Sequence, residues 1–257
     1  MLMNLRRGSG WLTAIMLIVG LGLAVDATAP DARAQSSGID TADRAAIEEI
    51  VRQYILDNPD VVIEALAIAQ QRQEQEELER RRLEVVARHD QIFNSSSPVM
   101  GNPDGDVTLV EFFDYQCTYC KRVLDTVFEA VDGDPGLRVV FKDLPILGPE
   151  SIVAARASLA ARRQGLYVEY HNTLMAFRGR LSEEVIFQVA RDVGLDVDRL
   201  RRDMEAPEIA EEIRANLLLA DSVGIRGTPA FIIGDEVVPG AVSLQTLQGL
   251  IERDRSS

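Results

Sequence analysis

The stretch 107–123, VTLVEFFDYQCTYCKRV, holds Cys117 and Cys120, the only two cysteines among 257 residues. It passes from an apolar, β-branched run into a C-x-x-C and then into residues suited to a helix. A structural disulfide across so short a loop stabilises little, because tying four residues removes little freedom from the unfolded chain. Tetrahedral zinc wants four protein ligands, or three and a water. The two histidines, His89 and His171, lie far from the cysteines in sequence. No metal or other cofactor is assigned, and thiol–disulfide chemistry is the leading reading.

Working outward, VTLVEFF (107–113) reads as a strand, 118–131 as a helix and LRVVFKDLPI (137–146) as a second strand. Helical patterns follow at about 150–163, 167–177, 182–193 and 207–223. PAFIIG (229–234) and EVVPG (236–240) read as a hairpin, and 243–254 as a last helix. Strand, helix, strand, a helical block, then hairpin and helix describe an α/β chain. The order is that of a thioredoxin-like fold spanning 97–257, with an all-helical subdomain inserted at about 149–223. The turn-rich NSSSPVMGNPDGD (94–106) marks its start.

Upstream the grammar changes. Ile47, Ile50, Val51, Tyr54 and Ile55 recur at helical spacing. Asn58-Pro59-Asp60 makes a break and restart, with Asn58 as a cap, Pro59 at the first helical position and Asp60 at the positive helix end. Val62, Ile63, Leu66 and Ala69 continue the stripe, so 35–69 is a helical segment. In QQRQEQEELERRR (70–82) only Leu78 is apolar, which reads as a solvated helix or a helical linker, and the linker is bounded at 70–96. About 30 residues of amphipathic helix cannot build a core alone. Their stripe packs on the downstream domain or on copies of itself; a long polar helix favours the copies, hence a homo-oligomer.

Residues 1–34 read as an export signal: Arg6 and Arg7, an apolar run from Trp11 to Val25, and ARA at 32–34 before Gln35. That run is shorter than the ~20 residues a spanning helix needs. Export places the protein in an oxidising compartment, the periplasm of a Gram-negative cell, where a C-x-x-C can cycle. Removing 1–34 takes the net charge from −14 to about −15. So acidic a chain repels phosphate backbones, which excludes nucleic-acid binding.

A thiol attacks as its thiolate, and at an ordinary pKa near 8.5 only ~3% is ionised at pH 7. A helix N-terminus offers unpaired N–H groups and the positive dipole end to a sulfur placed there. Cys117 stands where the helix begins and reads as the exposed nucleophile. Cys120, one turn on, reads as the more buried resolving thiol, with Thr118 and Tyr119 tuning the pair. Glu111 sits inside an apolar strand: either an edge residue facing water, or a buried carboxylate that relays the proton of Cys120. Lys142, inside VVFKDLP, is placed to pair with it. In GIRGTPAFIIG (224–234), Pro229 enters a strand. With a cis Thr228–Pro229 bond this loop would present backbone groups to an incoming peptide.

VEFFDYQCTYCK, the Lys142 strand, the helical insertion and GTPAFIIG together resemble the DsbA-like branch of the thioredoxin superfamily over about 97–254. The resemblance implies that Cys117 attacks, Cys120 resolves, and Pro229 is cis beside them, with Thr228 in the substrate-docking loop. It also implies that Glu111 and Lys142 form a buried charged pair. Strongly oxidising members carry Pro-His between the cysteines; Thr-Tyr here lacks the histidine that helps hold their thiolate. IEEIVRQYILDNPDVVIEALAIAQQRQ (47–73) is similar to the leading helices of ScsC-type (suppressor of copper sensitivity) proteins. Members with that segment trimerise and act as isomerases or reductases. The resemblance implies cysteine-bearing protein substrates and a membrane redox partner, either a DsbD/ScsB-like reductant or a DsbB-like oxidant. A monomeric dithiol oxidase and a Cu(I)-binding tolerance protein are the rival readings, the latter because thiolates are soft ligands.

Overall fold

Val107–Phe113 and Leu137–Asp143 are buried at six of their seven positions, so both are central strands with both faces covered. The computed structural model describes residues 40–94 and 96–256; the expected export signal lies outside them. The chain divides into two units, 1–59 and 60–257. In the first, α1 (Thr41–Asp57) is the described element. It ends at Asn58, whose N–H and side-chain amide both bond the Tyr54 carbonyl. Asn58 therefore closes a helix, and Pro59 precedes the next helix instead of occupying its first turn.

The second unit carries α2 (Asp60–Ala87), α3 (His89–Phe93), β1 (Val99–Gly101), β2 (Val107–Phe113), α4 (Thr118–Gly133) and β3 (Leu137–Asp143). A helical block follows: α5 (Pro149–Arg162), α6 (Tyr167–Ala176), α7 (Glu183–Asp192), α8 (Val197–Met204) and α9 (Pro207–Ser222). The hairpin β4 (Ala230–Ile233) and β5 (Glu236–Pro239) and then α10 (Leu244–Arg255) complete it. The sheet order is β1-β3-β2-β4-β5, with β2 parallel to β3 and the other pairs antiparallel. This is the expected thioredoxin-like α/β fold with its helical insertion and a leading helical extension.

Strand parity builds two cores. Leu109, Phe113, Val139, Phe141 and Phe231 face α4, α10 and the helical block. Val110, Phe112, Val140 and Ile232 face the other way, where Leu219, Ala220, Val85, Ile92 and Phe93 cover them. The second cover corrects the reading of 70–96 as a linker. Val85 of α2 and Ile92 and Phe93 of α3 are buried, and Arg82 Nε donates to Asp235 at 2.6 Å. The charge of 70–82 thins out in LEVVARHDQIF (83–93), which carries the apolar residues that close this face. Two short elements also lie where no element was expected. β1 falls in the turn-rich boundary, and α8 is capped by Asp196, whose carboxylate accepts from Arg199 N, while it buries only Leu200 and Met204.

Candidate active site

β2 ends at Phe113, the turn Asp114-Tyr115-Gln116 follows, and α4 begins with Cys117 as its N-cap. The Cys117 sulfur accepts the Cys120 N–H at 3.3 Å, taking the place a capping oxygen usually fills. The same sulfur contacts the Thr228 carbonyl at 3.2 Å. The Thr228–Pro229 bond is cis, as the resemblance implied. The hydrogen bond with Cys120 and those from Thr228 and the Cys120 and Tyr119 backbone outweigh burial and lower the Cys117 pKa to about 6. For Cys120, burial first and its bond to Cys117 second push the thiol far up; Glu111 adds to this. One sulfur is thus ionised at neutral pH and its neighbour holds its proton. Cys117 is only 5% exposed, against 0% for Cys120, so the attacking sulfur is recessed and not the exposed group expected.

Thr118 and Tyr119 project outward from the first turn of α4, with the Arg122 guanidinium 4.5 Å from the Tyr119 ring centroid. Glu111 is 4% exposed in a central strand, which disposes of the edge reading. Burial, then the charge of Cys117, raises its carboxyl pKa to about 8. Lys142 is not its partner. Glu111 is in register with Phe141, and Lys142 with Phe112, so their side chains leave opposite faces of the sheet. Lys142 Nζ instead donates to Gln91 O at 2.9 Å and Ser97 Oγ at 3.0 Å behind the sheet. Burial lowers its pKa to about 8. The register that opposes the two side chains was invisible in either strand alone.

Several residues not singled out beforehand hold the turn. Asp114 is buried and bonded on both oxygens. Tyr115 Oη donates to Ser158 Oγ at 2.5 Å and lies 3.0 Å from His171 Nδ1. Burial lowers the His171 pKa to about 3, so it serves as a neutral strut among Phe113, Phe141 and Tyr167 rings. Lys121 Nζ donates to Phe177 O at 2.9 Å, tying the first turn of α4 to the end of α6. A polar residue directly after an apolar strand, as in FFDYQC, was the available signal for Asp114.

A recessed low-pKa thiol capping a helix beside a cis-proline loop defines the thioredoxin-like class. The DSBA-like thioredoxin domain family matches residues 108–252, and the Copper resistance protein ScsC N-terminal domain family matches 43–76. The chain belongs to the DsbA-like thioredoxin family and carries an ScsC-type N-terminal segment. A thioredoxin-like oxidoreductase from Silicibacter pomeroyi DSS-3 is 48% identical, with TM-score 0.65, over 65% of this chain and 98% of that one. Proteus mirabilis ScsC in a transitional conformation is 27% identical, with TM-score 0.63, over 84% of this chain and 99% of that one. Among curated relatives, the Na(+)/H(+) antiporter NhaA of Herminiimonas arsenicoxydans is 31% identical over 159 residues. That match takes in 61% of this chain and only 25% of the antiporter's length. No described helix is long and apolar enough to cross a membrane.

Proposed function

We propose that this chain is a periplasmic thiol–disulfide oxidoreductase that acts on protein disulfides, working as an oligomeric isomerase or reductase. The observation that carries the chemistry is the division of roles at the start of α4: Cys117 with pKa about 6 as N-cap, Cys120 protonated one turn behind it. The Cys117 thiolate attacks one sulfur of a substrate disulfide; that S–S bond breaks and the other substrate sulfur leaves as a thiolate. In isomerisation another substrate thiolate attacks the mixed disulfide and Cys117 is released. In reduction Cys120 gives up its proton to the ionised fraction of Glu111 and attacks Cys117. The enzyme then holds the disulfide and the substrate holds two thiols. A membrane reductant restores the dithiol. The Thr228 carbonyl, 3.2 Å from the Cys117 sulfur, supports backbone docking of the substrate there. The Cu(I) reading carries no comparable observation.

Linkage supports the reducing direction. Thioredoxin's nucleophile has pKa near 7 and a potential near −270 mV; the strong oxidant of the superfamily sits near 3.5 and −120 mV. Lowering the pKa from about 7 to about 6 stabilises the dithiol at pH 7 by about 1 kcal/mol, or about 20 mV. The expected Cys117–Cys120 potential is therefore roughly −250 mV. Alkylation of Cys117 should show a pH midpoint near 6, and the protein should be recovered from cells mainly as dithiol. A potential near −120 mV with recovery as disulfide would establish the oxidase instead.

The oligomer is supported by α1. It buries none of its residues, and Ile50, Tyr54 and Leu56 are each more than half exposed. A helix of 17 residues takes most of its stability from packing of its apolar face. Copies of the chain supply that packing.

A further inference from the structure

The densest polar construction beside the thiols is centred on Asp114, a buried carboxylate that the exchange steps leave unused. Its Oδ1 accepts from Gln116 N and from Ser151 Oγ, both at 2.7 Å. Its Oδ2 accepts from Ile146 N at 2.8 Å and Leu147 N at 3.0 Å. One carboxylate therefore joins three stretches: the turn before Cys117, the loop after β3 and the first turn of α5. Four donors offset the cost of burying its charge. The backbone of the same residue also meets the site, since Cys117 N donates to Asp114 O at 3.0 Å.

The loop so held displays apolar side chains. Ile146 is 43% and Leu147 48% exposed, and Ile152 of α5 adds 44%. Gln116 Nε2 reaches the Leu147 carbonyl at 3.4 Å, so this lip borders the residue immediately before the attacking sulfur. Gly148, with φ +129°, turns the chain from the lip into Pro149 at the start of α5, a conformation that favours glycine. A substrate in mixed disulfide is tethered at the Cys117 sulfur, and the residues flanking its cysteine meet whatever borders residue 116.

We propose that Asp114 is a positioning residue and that Ile146 and Leu147, which it fixes against the turn, select substrates. The lip takes an apolar side chain next to the attacked cysteine of an unfolded or misfolded polypeptide. The inference rests on the disulfide-exchange reading and adds a preference to it.

Two disulfide-linked peptides test it on the full chain, one with Leu and Phe flanking its cysteine and one with Gly and Ser. The expected wild-type kcat/KM favours the apolar peptide roughly tenfold, the worth of one partly buried aliphatic side chain. Asp114→Asn replaces an acceptor oxygen with an amide that opposes backbone donors, and the expected preference collapses towards unity through a higher KM for the apolar peptide. Ile146→Ser with Leu147→Ser removes only exposed side chains, so it keeps the core intact and should erase the preference as well. If the asparagine variant fails to fold, the serine pair alone decides. An unchanged ratio in the serine pair overturns the lip. Equal losses on both peptides in Asp114→Asn, with a shifted Cys117 alkylation midpoint, overturn positioning in favour of simple bracing of the turn. No wild-type turnover of either peptide would instead sink the disulfide-exchange reading itself.

Discussion

Glu111 is the residue whose burial most needs a purpose. Held in a central strand at 4% exposure, its carboxyl has a pKa raised to about 8, chiefly by lost hydration. A carboxyl raised in the folded state binds its proton more tightly there. Its stabilising contribution is then full below the unfolded value near 4.5 and is lost as pH rises through about 8. Glu111→Gln keeps the shape and removes the titration. The variant's advantage in unfolding free energy should grow between pH 4.5 and 8, reaching on the order of a few kcal/mol. Parallel denaturation curves for wild type and variant across that window check this, and a constant difference would contradict a buried titrating carboxyl. The same substitution should slow release of substrate by Cys120 while leaving first attack by Cys117 alone. The position was legible in VTLVEFF because a charge interrupts an apolar strand. Its supposed partner was not, since pairing of Lys142 depends on a strand register that neither segment encodes locally.

At the scale of elements, the second face of the sheet depends on α2 and α3 as much as on α9. Ile92 is fully buried against a cluster that includes Val110, Phe112 and Val140. Ile92→Ala should cost about 2–4 kcal/mol, the usual penalty for emptying an aliphatic site in a packed core. Chemical denaturation measures it. A cost below about 0.5 kcal/mol would mean that α3 does not cover the sheet. These elements were misread because the polar run 70–82 set the character of everything up to 96. Helix periodicity in 83–93 is only three turns long and is interrupted at Arg88, between α2 and α3. α8 escaped notice because it is short, with just Leu200 and Met204 buried. By contrast β2, β3, α4, α5, α6, α7 and α9 carry long, consistent patterns, and their sequence reading agrees with the structure. The thiols were equally legible, because a lone C-x-x-C at a strand-to-helix junction has few physical uses.

At the scale of the molecule, the packing of α3 decides how self-association can be tested. A chain starting near Ser95 would strip Val85, Ile92 and Phe93 from the sheet, so any change in its size would reflect a damaged domain. Starting at Glu77 removes α1 and the exposed apolar residues Val61, Val62, Ile63, Leu66 and Ile68, yet keeps the buried end of α2 and all of α3. Light scattering should find the protein beginning at Gln35 as an oligomer and the one beginning at Glu77 as a monomer. Both should reduce insulin at similar rates, because Cys117, Cys120 and Thr228 all lie in the retained unit. Scrambled ribonuclease should separate them. Several thiolates presented to one substrate raise the effective concentration for a second exchange, so isomerisation should fall at least ~10-fold on truncation. Equal size for the two proteins would remove the N-terminal helices as the joining element. Loss of assembly with undiminished isomerisation would show that a single site reshuffles disulfides without its copies.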